Sequence, residues 1–333
     1  MEKKRFVGID ISKKTLDVVI YDSKKKHADC NTYRRVMNDE EGYKNLLGWF
    51  KSERIKLSEL VVGMENTGAY GYDLCLFLES KQVDYCSFNP LTLKRSMGLV
   101  RGKNDKVDAE RIAYFTWLHR DELKYTKLAG STILRLRELS TERKRFVKQR
   151  AEYEGVLTER KRPDMTSTSL RAEKMRRILE EEIDAVEKEM EEVIKQDPQI
   201  HQNFQLLMSI KGIGKVNAIS TIIHTNNFES FQTARQYACY LGIAPFEHSS
   251  GTSIKGKPKV SCVGAKQLKA DLSQAAVSAV QWDREIRLYY LRKINEGKTY
   301  GVVLNAIKFK LVCRMFSVIR RGTPYVDLMA YKN

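Results

Sequence analysis

Short apolar runs alternate with helically spaced apolar residues over roughly the first 120 positions of the chain. Residues 5–11 and 15–21 are two β-rich runs on either side of a polar turn, a pattern that predicts a β-hairpin. Further strands are predicted at residues 31–37, 60–64 and 83–88, and helices at residues 39–50, 70–80 and 105–118. Strands that alternate with helices in this way predict an α/β domain.

A long helical pattern begins near residue 128. Apolar residues recur seven apart and then, after a break at residues 162–169, at alternating steps of four and three: Leu139, Phe146, Tyr153, then Leu179, Ile183, Val186, Met190 and Val193. This spacing predicts a helical hairpin with coiled-coil character. The remainder is also helical in pattern, so we divide the chain into an α/β domain at 1–125, a coiled-coil hairpin at 126–198 and a mainly helical domain at 199–333.

The charge of the chain points to a polyanionic partner. Its 333 residues carry a formal net charge of +17. Nucleic acid is the commonest large polyanion, so this balance favours a nucleic-acid-binding protein, and a merely basic surface is the alternative. The hydrophobic content of 42% is ordinary for a globular chain and changes nothing in this picture.

The cysteines and the apolar runs exclude some classes of protein. The 6 cysteines are scattered with no C-x-x-C pair, which argues against a zinc ribbon and against a disulfide framework. Uninterrupted apolar runs stay shorter than a membrane span. We therefore expect a cytoplasmic protein with reduced cysteines.

Four carboxylates stand where predicted strands end or a helix begins. Asp10 interrupts the first apolar strand, Glu65 follows the strand at 60–64, and Asp105 and Asp108 are three apart at the start of a helix, which places them on one face. Four converging carboxylates repel one another unless a divalent cation is bound, and oxygen ligands suit Mg²⁺ or Mn²⁺. Two such ions can activate an attacking oxygen and stabilise a leaving one at a phosphodiester.

Each acid also has a simpler interpretation. Asp105 could be a helix N-cap, Glu65 could satisfy the turn that follows it, and Asp17 or Asp22 could be solvated. The order of the acids along a hairpin, a strand and a helix is typical of a ribonuclease-H-like sheet. The start of the chain also resembles the phosphate-binding hairpin of the sugar-kinase and actin-like fold, but the second Asp-Gly-rich repeat of that fold is missing after residue 120.

Two glycines form a tight turn between apolar helical segments in the last domain. Gly212 and Gly214 lie between Lys211 and Lys215, in the pattern of a helix-hairpin-helix element that brings backbone N–H groups close to a phosphate. An ordinary interhelical turn has the same pattern. We predict that these four residues contact nucleic acid.

A second candidate site is the segment around Ser250, which precedes a glycine. A serine at such a position is commonly a turn residue. Here it is followed by Lys255, Lys257 and Lys259, which could hold a phosphate and stabilise the charge that develops in phosphoryl transfer. His248 is adjacent to the serines and is a weaker candidate for an activating base.

These fragments together resemble the transposases of the insertion sequence one-ten family over essentially the full length. The resemblance lies in Gly8-Ile-Asp10 with Lys14 and Asp17-Val18, Met64-Glu65-x-Thr-Gly68-x-Tyr70, Asn89-Pro90, Lys103-x-Asp105-x-x-Asp108, Ile210-x-Gly-Ile-Gly214, Leu241-Gly-Ile-Ala-Pro245 with Ser250-Gly251, and Gly322-x-Pro324-Tyr325. The stretch at 252–264 departs from the family because it has lysines and Ser261-Cys262 where typical members have an arginine-containing run.

The resemblance implies a RuvC-like (ribonuclease-H-like) N-terminal domain whose DEDD set falls on Asp10, Glu65, Asp105 and Asp108 and holds Mg²⁺. It implies a C-terminal transposase domain whose nucleophile is Ser250, with the adjacent Ser249 kept open. Members of the family are guided by a bridge RNA and form a covalent phosphoserine link to DNA. They work as tetramers in which the acids of one subunit meet the serine of another, and they exchange strands through a Holliday junction.

The leading hypothesis is therefore an RNA-guided, site-specific DNA recombinase of an insertion sequence, cytoplasmic and associated with the nucleoid when it acts. The alternative is a RuvC-like, metal-dependent Holliday-junction nuclease without a covalent step. A third hypothesis is a non-catalytic nucleic-acid-binding scaffold. The guide RNA and the oligomeric state, dimer to tetramer, depend on the resemblance alone.

Overall fold

The computed structural model describes residues 5–21, 32–66, 68–96, 104–159, 166–250, 254–260 and 264–327. The chain divides into two compact units, Met1–Leu128 and Ala129–Asn333. Each unit has its own hydrophobic core, and each is described by itself below.

The first unit is built on a five-stranded mixed sheet. Its strands, in chain order, are β1 (Arg5–Ile11), β2 (Thr15–Tyr21), β3 (Thr32–Met37), β4 (Leu60–Glu65) and β5 (Asp84–Phe88). The spatial order is β3-β2-β1-β4-β5. The first three strands form an antiparallel meander, whereas β4 lies parallel to β1 and β5 lies parallel to β4.

One face of this sheet carries the main core of the unit. Four helices accompany the strands: α1 (Glu40–Ser52), α2 (Tyr72–Ser80), α3 (Pro90–Ser96) and α4 (Asp105–Leu118). Alternate residues of the strands, including Val7, Ile9 and Val18, pack with apolar residues of α1 and α2. Successive side chains of a strand point to opposite faces, so the residues between these face the other side of the sheet.

Helix α4 covers that other face and lies very close to strands β1 and β4. Gly8 of β1 and Gly63 of β4 are paired in the parallel register and lie under the helix. A Cβ atom at Gly8 would overlap backbone atoms of Ala109 and Ala113, and one at Gly63 would overlap the side-chain hydroxyl of Thr116. The two glycines therefore let the helix backbone approach the sheet more closely than any side chain would permit.

We expect the substitution Gly8→Ala to destabilise the first unit by about 2–3 kcal/mol, because the added methyl group must push the α4 backbone off the sheet. The matched control is Gly48→Ala in the middle of α1, where a Cβ atom would meet nothing within 4 Å. That change should stabilise the helix by up to about 1 kcal/mol. Urea unfolding of both variants measures the difference, and equal effects of the two changes would contradict the close approach at Gly8.

The second unit is mainly helical. Its elements are α5 (Ser131–Glu159), α6 (Thr166–Gln196), α7 (Pro198–Met208), α8 (Lys215–Thr225), α9 (Ala234–Tyr240), β6 (Pro245–Ser250), β7 (Ile254–Val260), α10 (Lys266–Trp282), α11 (Arg284–Asn295) and α12 (Tyr300–Arg321). The long helices α5 and α6 contribute Leu136, Leu139 and Met190 to a core that also contains residues of the later helices. One end of the pair of long helices therefore packs into the core of this unit.

The α/β first part and the mainly helical second part confirm the coarse fold class predicted from the sequence. Residues up to Ser250 form strand β6, which pairs antiparallel with β7, so Ser250 ends a strand directly before residues outside the described part of the chain. The predicted break at 162–169 begins in residues outside the described part of the chain, and α6 has already started at Thr166. Within the described ranges, none of the helices is long and apolar enough to cross a membrane.

Candidate active site

The glycine contact under α4 determines where the four predicted acids lie. Asp10 comes two residues after Gly8 on β1, and Glu65 comes two residues after Gly63 on β4, so both belong to the α4 face of the sheet. Helix α4 begins after Asn104, whose side chain accepts a hydrogen bond from the Lys106 amide at 3.0 Å. Its first turn then carries Asp105 and Asp108.

The start of α4 has a local cause in the sequence. Asn104 has an extended backbone and a side chain that satisfies a helix N–H group, as a good N-cap does. Asp105 is therefore the first helical residue and is not the cap, which leaves its carboxylate available to the site. Acidic residues in a first turn are also favoured by the helix dipole.

The electrostatics of Asp10 show that the acids act on one another. The pKa of Asp10 is raised from 3.8 to about 6, chiefly by burial and further by the negative charges of Asp108, Asp105, Asp17 and Glu65, in that order. A carboxyl with a raised pKa beside other carboxylates is an energetic cost to the fold. A cation near these carboxylates would lower this cost.

Two arginines supply part of the positive charge that these carboxylates lack. Arg35 donates from Nη2 to Asp105 Oδ2 at 3.1 Å, and Arg111 donates from Nη1 to Asp108 Oδ1 at 2.9 Å. Among the described residues, no three histidine, cysteine, aspartate or glutamate side chains are placed so that they could together hold a metal ion. Asp105 and Asp108 are thus bound to guanidinium groups, and the described acids are not arranged as a cluster of metal ligands.

Asp17 is a fifth acid on the same face of the sheet. Solvation was one interpretation of this residue, but it is fully buried at 0% exposure because it lies under α4, directly across the antiparallel ladder from Asp10. Its Oδ1 accepts hydrogen bonds from the Tyr33 hydroxyl at 2.6 Å and from Arg35 Nε at 2.9 Å. Counting strand register outward from the polar turn at residues 12–14 would have paired it with Asp10.

The donor set fits a hard divalent cation. All the candidate ligands are carboxylate oxygens, which Mg²⁺ and Mn²⁺ prefer. In addition, the second oxygen of Asp17, Oδ2, is buried and has no hydrogen-bond partner among the residues that the structure describes. Excess buried negative charge of this kind is what a bound divalent cation compensates.

The glycine turn of the second unit lies between α7 and α8. Gly212 has a φ of +92° and packs against α10, where a Cβ atom would crowd Ala275 and Ala279, whereas the space around Gly214 is open. The two lysines of the turn are paired with acids: Lys211 with Asp327 at 2.6 Å and Lys215 with Glu191. The turn is therefore closely packed on one side, and its cations are already partly neutralised.

The serine segment is described at the level of the backbone. Ser249 and Ser250 end strand β6, where they pair with Lys255 and Ile254 of β7. Lys255, Lys257 and Lys259 occupy alternate positions of β7. Gly251, which follows the candidate nucleophile, lies outside the described residues, as do Ser261 and Cys262.

Comparisons with known proteins agree with this layout. Residues 7–158 match the DEDD transposase family of IS110, described as a transposase, and residues 204–291 match the family described as Transposase IS116/IS110/IS902. The two matched families define this protein as a transposase, an enzyme that acts on DNA. The chain belongs to the IS110 family.

Full-length relatives support the same assignment. The pilin gene-inverting proteins of Moraxella lacunata and Moraxella bovis are each 27% identical over 338 positions, which cover 97% of this chain and 98% of the relative. An uncharacterized protein of insertion element IS110 from Streptomyces coelicolor is 30% identical over 169 positions, which cover 50% of this chain and 38% of that protein.

Proposed function

We propose that this transposase is an RNA-guided, site-specific DNA recombinase that cuts and rejoins DNA through a covalent phosphoserine intermediate. The observation that carries the metal-dependent part is the placement of Asp10 on β1 and Glu65 at the end of β4, on the sheet face that α4 covers, with Asp105 and Asp108 in the first turn of that helix. Acids that repel one another on one face of a sheet are suited to a divalent cation.

The topology of the first unit supports a RuvC-like assignment. A meander of three antiparallel strands, followed by two parallel strands on the far side of β1, is the layout expected of a ribonuclease-H-like sheet. The acids stand on β1, at the end of β4 and in the first turn of α4. The name of the first matched family refers to a DEDD set of this kind.

In the proposed reaction the oxygen of the Ser250 side chain attacks a DNA phosphorus. A bond forms between the serine oxygen and phosphorus while the hydroxyl proton passes to a base. The bond from phosphorus to a deoxyribose oxygen breaks, and this oxygen leaves with a proton as a free hydroxyl group. Serine is a weak nucleophile at its ordinary pKa and needs activation. Mg²⁺ held by Asp10, Glu65, Asp105 and Asp108 would supply that activation and would neutralise the charge on the phosphate. The role of the protein is to bring these carboxylates and the serine to one phosphodiester, in the family through different subunits of a tetramer.

Several features support the proposed partners. The net charge of +17 favours DNA and RNA through their phosphates. The full-length Moraxella relatives are named for inverting a pilin gene, which is a recombination between two sites on DNA. The bridge RNA and a dimer or tetramer follow from the family resemblance, and an enzyme that acts on bacterial DNA would work in the cytoplasm at the nucleoid.

Expression of the chain together with the DNA that flanks its gene tests the RNA guide. We expect one structured RNA from the flanking DNA to copurify with the protein at near-equimolar amount, because its phosphates bind the basic surface. Sequencing of the bound RNA should show two loops complementary to the recombined DNA ends. Changing the target-pairing loop should redirect recombination to the matching new sequence, and recombination that ignores such changes would contradict guidance.

The alternative function is a metal-dependent Holliday-junction nuclease that uses water as the nucleophile. The acid site favours it, since two bound ions suffice for phosphodiester hydrolysis. The two functions differ on a denaturing gel: a recombinase that uses serine leaves a strand attached to the protein, whereas a nuclease leaves only free ends.

A further inference from the structure

Arg35 makes two contacts of very different strength in the acid site. On the inner side, its Nε donates to Oδ1 of Asp17, whose side chain is only 1% exposed. On the outer side, its Nη2 reaches Asp105, whose side chain is 53% exposed. A hydrogen-bonded ion pair with a buried carboxylate is costly to break, whereas an exposed pair is weak.

The inner contact is reinforced from the same strand. Tyr33 lies two residues before Arg35 on β3, so the two side chains share a face of the sheet, and both donate to the same oxygen of Asp17. The hydrogen bond that Arg35 donates to Asp17 also raises the pKa of Arg35. The guanidinium is therefore anchored at Asp17 and exchangeable at Asp105.

One carboxylate oxygen of Asp17 accepts no hydrogen bond from the described residues. One oxygen serves Tyr33 and Arg35, and the other has no hydrogen bond among the described residues, although the residue is fully buried directly across from Asp10. A single arginine thus compensates Asp17 and Asp105, and negative charge remains in excess beside Asp10.

We propose that Arg35, anchored by Asp17, is an internal substitute for the metal cation. Arg35 binds Asp105 while no divalent cation is present and releases Asp105 when a cation binds. Asp17 keeps Arg35 in place during this exchange and adds its own negative charge to the attraction of the cation. Both are positioning residues. The inference rests on the proposed function, because it assumes that the four acids hold a divalent cation.

The proposal predicts opposite effects of two neighbouring substitutions. Arg35→Gln removes the group that competes for Asp105, so Mn²⁺ should bind about two- to fivefold more tightly. Asp17→Asn removes a buried negative charge and should weaken Mn²⁺ binding on the order of tenfold. A purely structural role would give the same sign for both changes, since any loss of packing weakens the site.

Arg34→Gln is the matched control. Arg34 is the preceding residue of β3 and faces the other side of the sheet, where its guanidinium lies 5.1 Å from the centre of the Trp49 ring. The substitution changes the net charge by the same amount as Arg35→Gln, without touching the acids. We expect Mn²⁺ affinity within about twofold of the unchanged chain, because exposed charges at a distance are screened by salt.

The experiment is calorimetric titration of Mn²⁺ into the full metal-stripped chain, without DNA, for the unchanged protein and for each variant. Thermal unfolding shows which variants are folded, and the arginine variants decide the question if Asp17→Asn does not fold. Arg35→Gln that binds Mn²⁺ no more tightly than Arg34→Gln overturns the role of Arg35. An unchanged protein whose Mn²⁺ binding is absent, or survives Asp10→Asn, overturns the metal site of the proposed function and with it this proposal.

Discussion

Asp10→Asn is expected to make the metal-free chain more stable and to abolish recombination. Asparagine keeps the shape of aspartate but removes a charge that is half-buried among four other acids. A pKa shift from 3.8 to about 6 corresponds to about 3 kcal/mol. Because the carboxyl is partly exposed to solvent, we expect a gain of roughly 1 kcal/mol in the free energy of unfolding.

The gain should depend on pH in a defined direction. The pKa of Asp10 is higher in the folded chain than in the unfolded chain, so the folded state holds the proton more tightly. Stability from Asp10 is therefore present near pH 4 and is lost as the pH rises to about 6. The advantage of Asp10→Asn should be complete above about pH 7 and absent near pH 4.

Thermal unfolding in a chelator at pH 7.5 and pH 4 measures this advantage, and a recombination assay measures activity. We expect a higher midpoint by a few degrees at pH 7.5 only, together with a loss of recombination of at least about a thousandfold. Asp121→Asn is the control, because Asp121 is an acid of the same unit whose side chain is 85% exposed. Loss of stability at pH 7.5 in Asp10→Asn would contradict the repulsion among the acids.

Ser250→Ala is expected to eliminate the covalent protein–DNA adduct, with a fall of at least about a thousandfold in recombination. Alanine lacks the hydroxyl oxygen that would attack phosphorus, and it fits the same position at the end of β6. RNA binding should remain unchanged, since one neutral side chain contributes little to a phosphate-dominated interaction. Denaturing electrophoresis of labelled DNA after a short incubation shows the adduct directly.

Ser249→Ala is the matched control, since Ser249 is the neighbouring serine on β6 and pairs with Lys255. It should keep the adduct. Adducts that persist in Ser250→Ala and vanish in Ser249→Ala would move the nucleophile by one residue. Cleaved DNA with no adduct in the unchanged protein would support the junction nuclease.

The strands and helices of the first unit could be predicted because each has its own apolar pattern within a short stretch of sequence. The apolar runs of β1, β2 and β4 and the spacing of α4 are each readable within one element, whereas the predicted role of the acids stays a prediction. Whether Asp17 is solvated or buried stayed open because burial there comes from α4, an element almost ninety residues away in the chain. Alternation within a strand says which face a residue takes, but not what covers that face.

The hairpin of β6 and β7 could not be read from the sequence for a different reason. Residues 245–260 are rich in serine, glycine and lysine and show no apolar alternation, so the usual sequence signal of a strand is absent there. Similarly, the heptad spacing in α5 and α6 predicted the two long helices, but not that Leu136 and Met190 share a core with the later helices. Such packing depends on contacts between distant segments.

Gly8 and Gly63 give the two faces of the sheet unequal tolerance to sequence change. On the side of α1 and α2, a layer of interlocking side chains separates sheet from helix, and cores of that kind absorb substitutions by repacking. Under α4 there is no such layer at Gly8, where the strand meets the backbone of the helix, and at Gly63 the Thr116 side chain fills the space that a Cβ atom would need. A larger residue at position 8 would therefore displace α4 itself, and with it Asp105 and Asp108, relative to Asp10 and Glu65.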